Sequence, residues 1–223
     1  MVFIHYFKGM NSETKRSIPL PTIRRFPVYL RLLKEQLMLG KTWISATTLA
    51  YELRLKPIQV RKDMACTGVT GKPKIGFLIE DLINAIEAHL GWDNSSDAVL
   101  IGAGHLGNAL AGYRGFDNYG LKVAAVFDSD PKKIGTAIGE LTVLSMDTLE
   151  DYIAEHGILV GILTVPDSYA QEIAERLVAS GIIGIWNFAP INLKLPEQII
   201  VQRTDLATAF AELSSRLNSS IDN

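Results

Sequence analysis

The sequence predicts an α/β protein in which a small helical domain precedes a larger domain built on a parallel sheet. Three observations support this prediction. Apolar residues follow helical spacing before residue 91, whereas short apolar runs alternate with helical segments after Ala98. The first of those runs leads into the glycine-rich turn GAGHLG. The charge also changes: residues 1–91 carry 14 Lys and Arg against 7 Asp and Glu, and residues 92–223 carry 8 against 17.

The composition is that of a globular protein, with 48% hydrophobic and 21% charged residues among 223. Its longest apolar run, ILVGILTV, is shorter than the roughly 18 residues of a membrane span. The single cysteine, Cys66, excludes an internal disulfide and a cysteine-based zinc site, which fits a reducing cytoplasm. Residues 1–15 are expected to form a disordered leader without a secretory signal. A basic N-terminal part indicates that this part meets a polyanion.

The first helix is predicted from apolar residues that recur at intervals of three and four before Gly40. These residues are Ile23, Phe26, Leu30, Leu33 and Leu37. Pro27 interrupts the pattern, so it either kinks the helix or marks its first turn. Ser45 is expected to cap a second, short helix, and Pro57 to open a third after a tight turn. Two short helices joined in this way predict a helix-turn-helix.

The third helix has two faces of different character. Val60 and Met64 are expected to pack inward, whereas Gln59, Arg61 and Lys62 can reach base edges and phosphates in a major groove. The following segment VTGKPKIGF resembles the wing of a winged helix, and its two lysines, Lys72 and Lys74, would face phosphates. A last helix through residue 90 completes a winged helix-turn-helix domain over residues 16–91.

Residues 92–204 are predicted to form a Rossmann-type parallel sheet covered on both faces. The strand candidates are AVLI, LKVAAVFD, LTVL, ILVGILTV and IIGIWNF, and the helical segments between them are LGNALAGYR, DTLEDYIAEHG and SYAQEIAERLVASG. This alternation is typical of βαβ units, in which ligands bind beyond the carboxyl ends of the strands.

The glycine-rich turn has the spacing of a dinucleotide-binding fingerprint. Gly102 allows the tight turn, Gly104 lets the backbone approach a pyrophosphate, and Gly107 brings the helix close to the sheet. Asp128 ends the second strand 21 residues after Gly107, where a carboxylate accepts hydrogen bonds from ribose hydroxyls. This acid favours NAD over NADP, because a 2′-phosphate would meet a like charge. Lys132 and Lys133 follow it and oppose that argument.

Two further loops leave the carboxyl ends of predicted strands and are expected to line the same cleft. They are Thr164–Pro166 and the segment WNFAP ending at Pro190. No histidine has an obvious carboxylate partner, so the sequence offers neither an acid–base pair nor a metal site. The competing hypotheses are a small NAD-dependent oxidoreductase, with the basic region as a cap, and a CoA-binding Rossmann module.

From about Ile18 onward the chain resembles the Rex family of redox-sensing transcriptional repressors. The matching stretches are YLRLL, VRKDMACTGVTGKPKIGF, LIGAGHLGNALAGYRGF, FDSDPKKIG, LTVP, NFAP and TDLA, in this order. The resemblance implies a homodimer whose winged helices bind palindromic double-stranded operator DNA and release it when NADH binds. It implies regulation rather than catalysis, with NADH and NAD⁺ as effectors.

The resemblance also implies roles for individual residues. The cofactor-binding set would be Gly102, Ala103, Gly104, His105, Leu106, Gly107, Asp128, Thr164, Val165, Pro166, Asn187, Phe188, Ala189 and Pro190. Arg31, Tyr113 and Asp205 would form a polar switch whose pairing changes with the ligand. Residues 205–223 would form a dimerisation helix swapped across the dimer through Leu206, Phe210, Leu213 and Leu217. The alternative is that this apolar stripe packs on its own domain.

Overall fold

The computed structural model describes residues 18–92 and 96–221. The chain divides into two compact units, Met1–Asp93 and Asn94–Asn223. The predicted leader, residues 1–15, lies outside the described residues. Within the described ranges, no helix is long and apolar enough to cross a membrane.

In residues 18–92, the first unit packs four helices around one core and carries a small two-stranded sheet. Its elements are α1 (Leu20–Met38), β1 (Trp43–Ile44), α2 (Ala46–Glu52), α3 (Pro57–Cys66), β2 (Phe77–Leu78) and α4 (Ile79–Leu90). Strands β1 and β2 are antiparallel. All four helices contribute fully buried side chains, among them Phe26, Leu33, Leu49, Met64 and Ile86.

Local sequence signals explain the helix ends in this unit. Helix α1 begins at Leu20 and runs through Pro27. The expectation that Pro27 marks the first turn is therefore wrong, and the proline in the first turn is Pro21. The Ser45 hydroxyl accepts a hydrogen bond from the Thr48 amide at 3.0 Å, which confirms the cap of α2. Helix α3 begins at Pro57 as predicted.

The wing segment is less regular than its sequence suggests. The β-prone residues before the turn form no strand, and one bridge between Lys72 and Gly76 closes the loop ahead of β2. Lys74 lies at its tip with a φ of 64°. Phe77 and Leu78, which follow the loop, pair with Ile44 and Trp43 of β1.

The second unit is a doubly wound sheet. Its elements are β3 (Ser96–Ile101), α5 (His105–Ala111), β4 (Leu121–Asp128), β5 (Ala137–Ile138), β6 (Leu141–Ser145), α6 (Leu149–His156), β7 (Val160–Leu163), α7 (Asp167–Ala179), β8 (Gly184–Asn187), β9 (Ile200–Arg203) and α8 (Leu206–Ile221). Short 3₁₀ helices span Arg114–Tyr119 and Met146–Thr148.

Seven strands form one sheet in the described part of this unit, in the order β5-β6-β4-β3-β7-β8-β9. All pairs are parallel except β5 with β6. Without β5, this is the 3-2-1-4-5-6 order of the Rossmann fold, whose direction reverses between β3 and β7. The five predicted strands are confirmed, and β5 and β9 are additional. The predicted α/β class is therefore confirmed.

Candidate functional site

Helix α3 of the first unit presents two cations to solvent. Arg61 and Lys62 are exposed, whereas Val60 and Met64 on the opposite face are completely buried in the core. The helix is therefore fixed along one side and free along the other, as groove reading requires. Gln59, the third predicted DNA contact on this helix, is only half-exposed.

Gln59 is only partly exposed because its side chain belongs to a hydrogen-bond network around a buried carboxylate, which the sequence alone did not reveal. Asp63 is 1% exposed and accepts hydrogen bonds from Thr22, Arg25, Tyr29 and the Gln59 amide. The Arg25 contact is bidentate, with both nitrogen–oxygen distances at 2.7 Å. The network ties α3 to α1 by polar contacts as well as by the apolar core.

The charge state of Asp63 follows from these partners. Burial raises the pKa of a carboxyl group, but the hydrogen bonds from Arg25, Tyr29 and Gln59 outweigh it and hold the Asp63 pKa below its ordinary value. Burial and the Asp63 hydrogen bond raise the pKa of Tyr29. Asp63 is thus an anion that fixes α3. Its signal in the sequence is its position four residues after Gln59, between two inward-facing residues.

The wing supplies the other two predicted phosphate contacts, Lys72 and Lys74, and both are exposed. The Lys72 ammonium lies 4.6 Å from the centroid of the Trp43 ring. This cation–π contact attaches the start of the wing loop to β1.

In the second unit, the glycine loop is closely packed at the point between β3 and β7 where the strand order reverses. Gly102 has a φ of 106°, and a Cβ there would lie 2.8 Å from the Thr164 carbonyl oxygen. A Cβ on Gly107 would lie 1.8 Å from the Gly102 carbonyl oxygen. A Cβ on Gly104 would meet no atom within 4 Å. The two outer glycines are therefore required by the protein itself, whereas Gly104 leaves open space beside the loop.

Thr164 ties the end of β7 to this loop. Its hydroxyl oxygen lies 3.0 Å from the Ile101 carbonyl oxygen and 2.8 Å from that of Gly102. Its amide donates to Ile101 as well. The loop after β7 and the glycine loop after β3 are thus one connected structure at the point where the sheet reverses direction.

Asp128 organises the neighbouring edge of the site. Its Oδ2 accepts hydrogen bonds from the Ala103 amide at 2.7 Å and from Lys133 Nζ at 2.9 Å. Its Oδ1 accepts one from the Asp130 amide at 2.8 Å. Burial raises the pKa of this carboxyl group, but these donors outweigh it, so the pKa lies below its ordinary value. An ionised carboxylate has about four acceptor positions, so these three donors leave one position on Oδ1 unused.

These elements enclose a cleft of about 780 Å³. The predicted residues that line it are Gly102, Gly104, His105, Leu106, Asp128, Thr164, Val165 and Pro166. Ala103 and Gly107 belong to the loop without lining the cleft. Other lining residues were not predicted, and they are Ile101, Ser129, Asp130, Lys133, Met146 and four residues of α7, namely Tyr169, Glu172, Ile173 and Arg176. Their signal is position, since Ser129, Asp130 and Met146 follow strand ends and the four residues of α7 lie on the helix after Pro166.

The loop from Asn187 to Pro190 does not line this cleft within the described residues. Asn187 is fully buried, where its amide donates to the Ile191 carbonyl and its Oδ1 accepts from the Ala189 amide. Asn187 therefore holds the shape of its own loop. Phe188 packs against Trp186 with ring centroids 4.9 Å apart.

Two of the three predicted switch residues, Tyr113 and Asp205, belong to this unit. Tyr113 is 54% exposed, and its ring meets Phe116 edge-on at 5.0 Å. Asp205 pairs with Arg203 at 2.6 Å and accepts a hydrogen bond from the Ala207 amide at the start of α8. Arg31 is exposed on α1 of the first unit.

Helix α8 carries an uncovered apolar stripe. Leu206, Phe210, Leu213 and Leu217 are each between 52% and 68% exposed. The alternative that this stripe packs on its own domain is therefore wrong for this chain. An exposed stripe of four large apolar side chains on one helix face is typical of an interaction surface.

Comparison with known proteins gives matches over both units. A family model described as a putative DNA-binding protein N-terminus matches residues 17–65, and one described as a CoA binding domain matches residues 93–191. The redox-sensing transcriptional repressor Rex of Treponema denticola is 48% identical over 92% of this chain and 98% of its own. Rex of Carboxydothermus hydrogenoformans is 41% identical over 88% of this chain and 95% of its own.

Solved structures agree with these relatives. The repressor RSP in complex with β-NAD⁺ and operator DNA superposes with a TM-score of 0.86 at 36% identity, covering 92% of this chain and 94% of RSP. RSP in complex with β-NADH superposes with a TM-score of 0.81 at 36% identity, covering 91% and 95%.

Proposed function

The chain belongs to the Rex family of redox-sensing transcriptional repressors, and from that premise we propose that it binds a palindromic operator as a homodimer and leaves it when NADH binds. The observation that carries this proposal is the extent of the likeness to RSP. It covers more than nine-tenths of both chains, and RSP has been crystallised with operator DNA and with β-NADH.

The proposed DNA contacts are Arg61 and Lys62 of α3, Lys72 and Lys74 of the wing, and Gln59. Both cations of α3 are exposed on the face opposite the core. Gln59 is held by Asp63, so we propose that it reads DNA only from this fixed position. Arg61 would supply a directional contact to a base or phosphate, and the lysines would supply attraction to the backbone.

The proposed nucleotide contacts begin with the glycine loop, Gly102 to Gly107. The open space beside Gly104 fits a pyrophosphate, which backbone amides at the start of α5 would meet. The free acceptor position on Asp128 fits a ribose hydroxyl of the adenosine. The side chains therefore fit NAD(H), and its nicotinamide would extend towards residues 164–166 and 187–190.

The choice between NADH and NAD⁺ would follow from charge. The oxidised ring carries a positive charge that the reduced ring lacks, and burying a cation without a counter-ion is costly. Val165, Pro166, Phe188 and Ala189 offer apolar surroundings in these two loops. A preference of 1,000-fold requires only about 4 kcal/mol.

Release from DNA requires that NADH prefer the dimer state that does not bind the operator, since a ligand indifferent to the two states shifts nothing. Linkage then requires that operator DNA weaken NADH binding by the same factor. We propose that Arg31, Tyr113 and Asp205 change partners between these states. The exposed stripe of α8 would be covered by the second protomer through a helix swap.

The competing hypotheses account for less of the chain. The relatives are named as transcriptional repressors and not as oxidoreductases. A CoA-binding module would leave the DNA-binding match of residues 17–65 without a role. We place the protein in the cytoplasm, where its operator and the NADH pool would be.

Two variants test the division of labour. Asp128→Ala should weaken NADH binding at least tenfold, measured by NADH fluorescence, and leave operator binding intact. Arg61→Ala should do the reverse, with a 10- to 100-fold loss of operator affinity because one base or phosphate contact disappears. The proposal of two separate sites fails if each variant loses both activities while retaining its thermal unfolding temperature.

A further inference from the structure

Gln59 lies in the first turn of α3, and a hydrogen bond holds its side-chain amide. Helix α3 begins at Pro57, so Gln59 is its third residue. Its Nε2 atom lies 3.0 Å from Asp63 Oδ1, one helical turn further along. The N-terminal residues of a recognition helix are those that contact base edges in a major groove. Gln59 is therefore held where a base contact would be made.

The contact with Asp63 allows one orientation of the Gln59 amide. An ionised carboxylate only accepts hydrogen bonds, so the amide nitrogen must face it and the amide oxygen must point away from it. The carboxylate is itself fixed, because Thr22, Arg25 and Tyr29 also donate to it. The amide of Gln59 is thus fixed in direction as well as in place.

The amide keeps two hydrogen-bonding groups for a ligand. Nε2 carries two hydrogens, of which Asp63 takes one, and Oε1 accepts no hydrogen bond from the residues that the structure describes. Gln59 is half-exposed, and among the same residues no buried side-chain oxygen lacks a partner, so Oε1 is open to solvent. One acceptor and one donor therefore lie side by side on this amide.

This pair of groups matches one base. In the major groove, adenine presents its N6 amino group as a donor next to N7 as an acceptor. Guanine presents two acceptors and would need both amide hydrogens, one of which Asp63 already takes. Cytosine offers a donor without an adjacent acceptor, and thymine an acceptor beside a methyl group. Adenine alone uses both groups.

We propose that Gln59 is a specificity-determining residue that reads an adenine in each half-site of the operator, and that Asp63 is the positioning residue that orients its amide. This inference rests on the proposed function, because it assumes that α3 enters a major groove. It separates a base-specific contact from the attraction that Lys62 exerts on any duplex.

The first test compares the operators that the full-length wild-type protein and Gln59→Met select from a random palindromic library. Methionine keeps the length of the side chain and removes both polar groups. One position in each half-site should lose its preference for adenine, by at least about fivefold, while the other positions keep theirs. The matched control, Lys62→Met, should weaken binding to every duplex and retain this adenine preference.

Base analogues at that position identify the contact. Replacing the adenine by 7-deazaadenine removes N7, and replacing it by purine removes the N6 amino group. Each analogue should weaken wild-type binding at least about threefold and Gln59→Met binding less than about twofold, as measured by fluorescence anisotropy.

Asp63→Asn tests the positioning role, at a temperature at which circular dichroism shows the variant to be folded. Asparagine offers a donor as well as an acceptor, so the Gln59 amide can reverse and donate both hydrogens to guanine. Guanine should therefore be tolerated at the adenine position alone, whereas a loss of structure would weaken the preference at all positions together.

An unchanged selection profile in Gln59→Met, or a lost preference for a base other than adenine, overturns the inference and leaves operator binding intact. Full adenine preference in Asp63→Asn overturns the positioning role. A wild-type protein that selects no duplex overturns the proposed function together with the inference.

Discussion

In the described part of each unit, a single buried carboxylate positions the elements around it. Asp63 accepts hydrogen bonds from Thr22, Arg25, Tyr29 and Gln59, which fixes α3 against α1. Asp128 receives two backbone amides and Lys133, which fixes the glycine loop and the ribose edge of the cleft. In each, the hydrogen-bond donors lower the pKa by more than burial raises it. The stability of each local structure therefore depends on the ionisation of its carboxyl group.

Asp63 should make the first unit acid-sensitive. Its pKa in the folded protein is lower than in the unfolded chain, so its stabilisation is complete above the unfolded pKa, near 3.9, and is lost as the pH falls through the folded value. Asp63→Asn should cost about 2–3 kcal/mol at pH 7, and the difference from wild type should shrink below pH 4. Thermal unfolding from pH 3 to pH 7 measures both quantities.

The control for this prediction is Glu35→Gln, which removes an exposed acid from α1. It should change stability by less than about 0.5 kcal/mol at every pH. A wild-type minus Asp63→Asn difference that stays constant from pH 7 to pH 3 would contradict a stabilising role for the ionised Asp63.

The glycine loop offers a matched pair of substitutions. Gly107→Ala should destabilise the protein by about 2–3 kcal/mol or more, because the new Cβ would overlap the Gly102 carbonyl oxygen. Gly104→Ala should cost less than about 1 kcal/mol, because its Cβ meets only open space and an N-cap glycine is replaced. It should nevertheless weaken NADH binding, which needs that space.

Chemical denaturation and NADH fluorescence distinguish these outcomes. If Gly104→Ala binds NADH with wild-type affinity, the pyrophosphate does not approach the backbone at this residue. If Gly107→Ala keeps wild-type stability, the close packing between the loop and its helix is not required.

Among the elements, α8 carries an apolar face that the second unit leaves exposed. Covering Leu206, Phe210, Leu213 and Leu217 would contribute about 1.5–3 kcal/mol for each side chain. Phe210→Glu should therefore shift the protein from a dimer to a monomer of 24.5 kDa, as measured by sedimentation velocity. Ser215→Glu, on the other side of α8, should remain dimeric. A dimeric Phe210→Glu would contradict the assignment of α8 to the interface.

The sequence predicts most, but not all, of the helices and strands of this fold. Strong apolar periodicity predicted α1, α4, α7 and the central strands, because buried faces leave a regular pattern. Strands β5 and β9 escaped prediction, since β5 has two residues and β9 is exposed along its whole length. An edge strand that buries neither face leaves no alternation to detect. The wing likewise turned out to be a bridged loop.

The residues of the candidate site also divide into those that the sequence predicts and those that it does not. The glycine loop and Asp128 were predictable, because their chemistry is local in sequence. The roles of Asp63 and of the cleft residues of α7 could not be predicted, because the residues that surround them lie far away along the chain. Lys133 was visible only as a charge near Asp128, and its contact with the carboxylate required coordinates.

At the scale of the whole molecule, the chain joins a basic unit to an acidic one. Residues 1–91 carry twice as many basic as acidic residues, and residues 92–223 about half as many. The first unit is thus attracted to DNA and the second is not. We expect that NADH, bound in the second unit, lowers the affinity of the first unit for its operator.

The most direct test is fluorescence anisotropy of a labelled operator duplex, selected by the wild-type protein from a random palindromic library and titrated at a fixed, stated salt concentration. The complex should dissociate on addition of NADH, at a concentration about 100- to 1,000-fold lower than that at which NAD⁺ acts. Equal displacement by the two nucleotides, displacement by neither, or the selection of no duplex would contradict operator binding controlled by NADH.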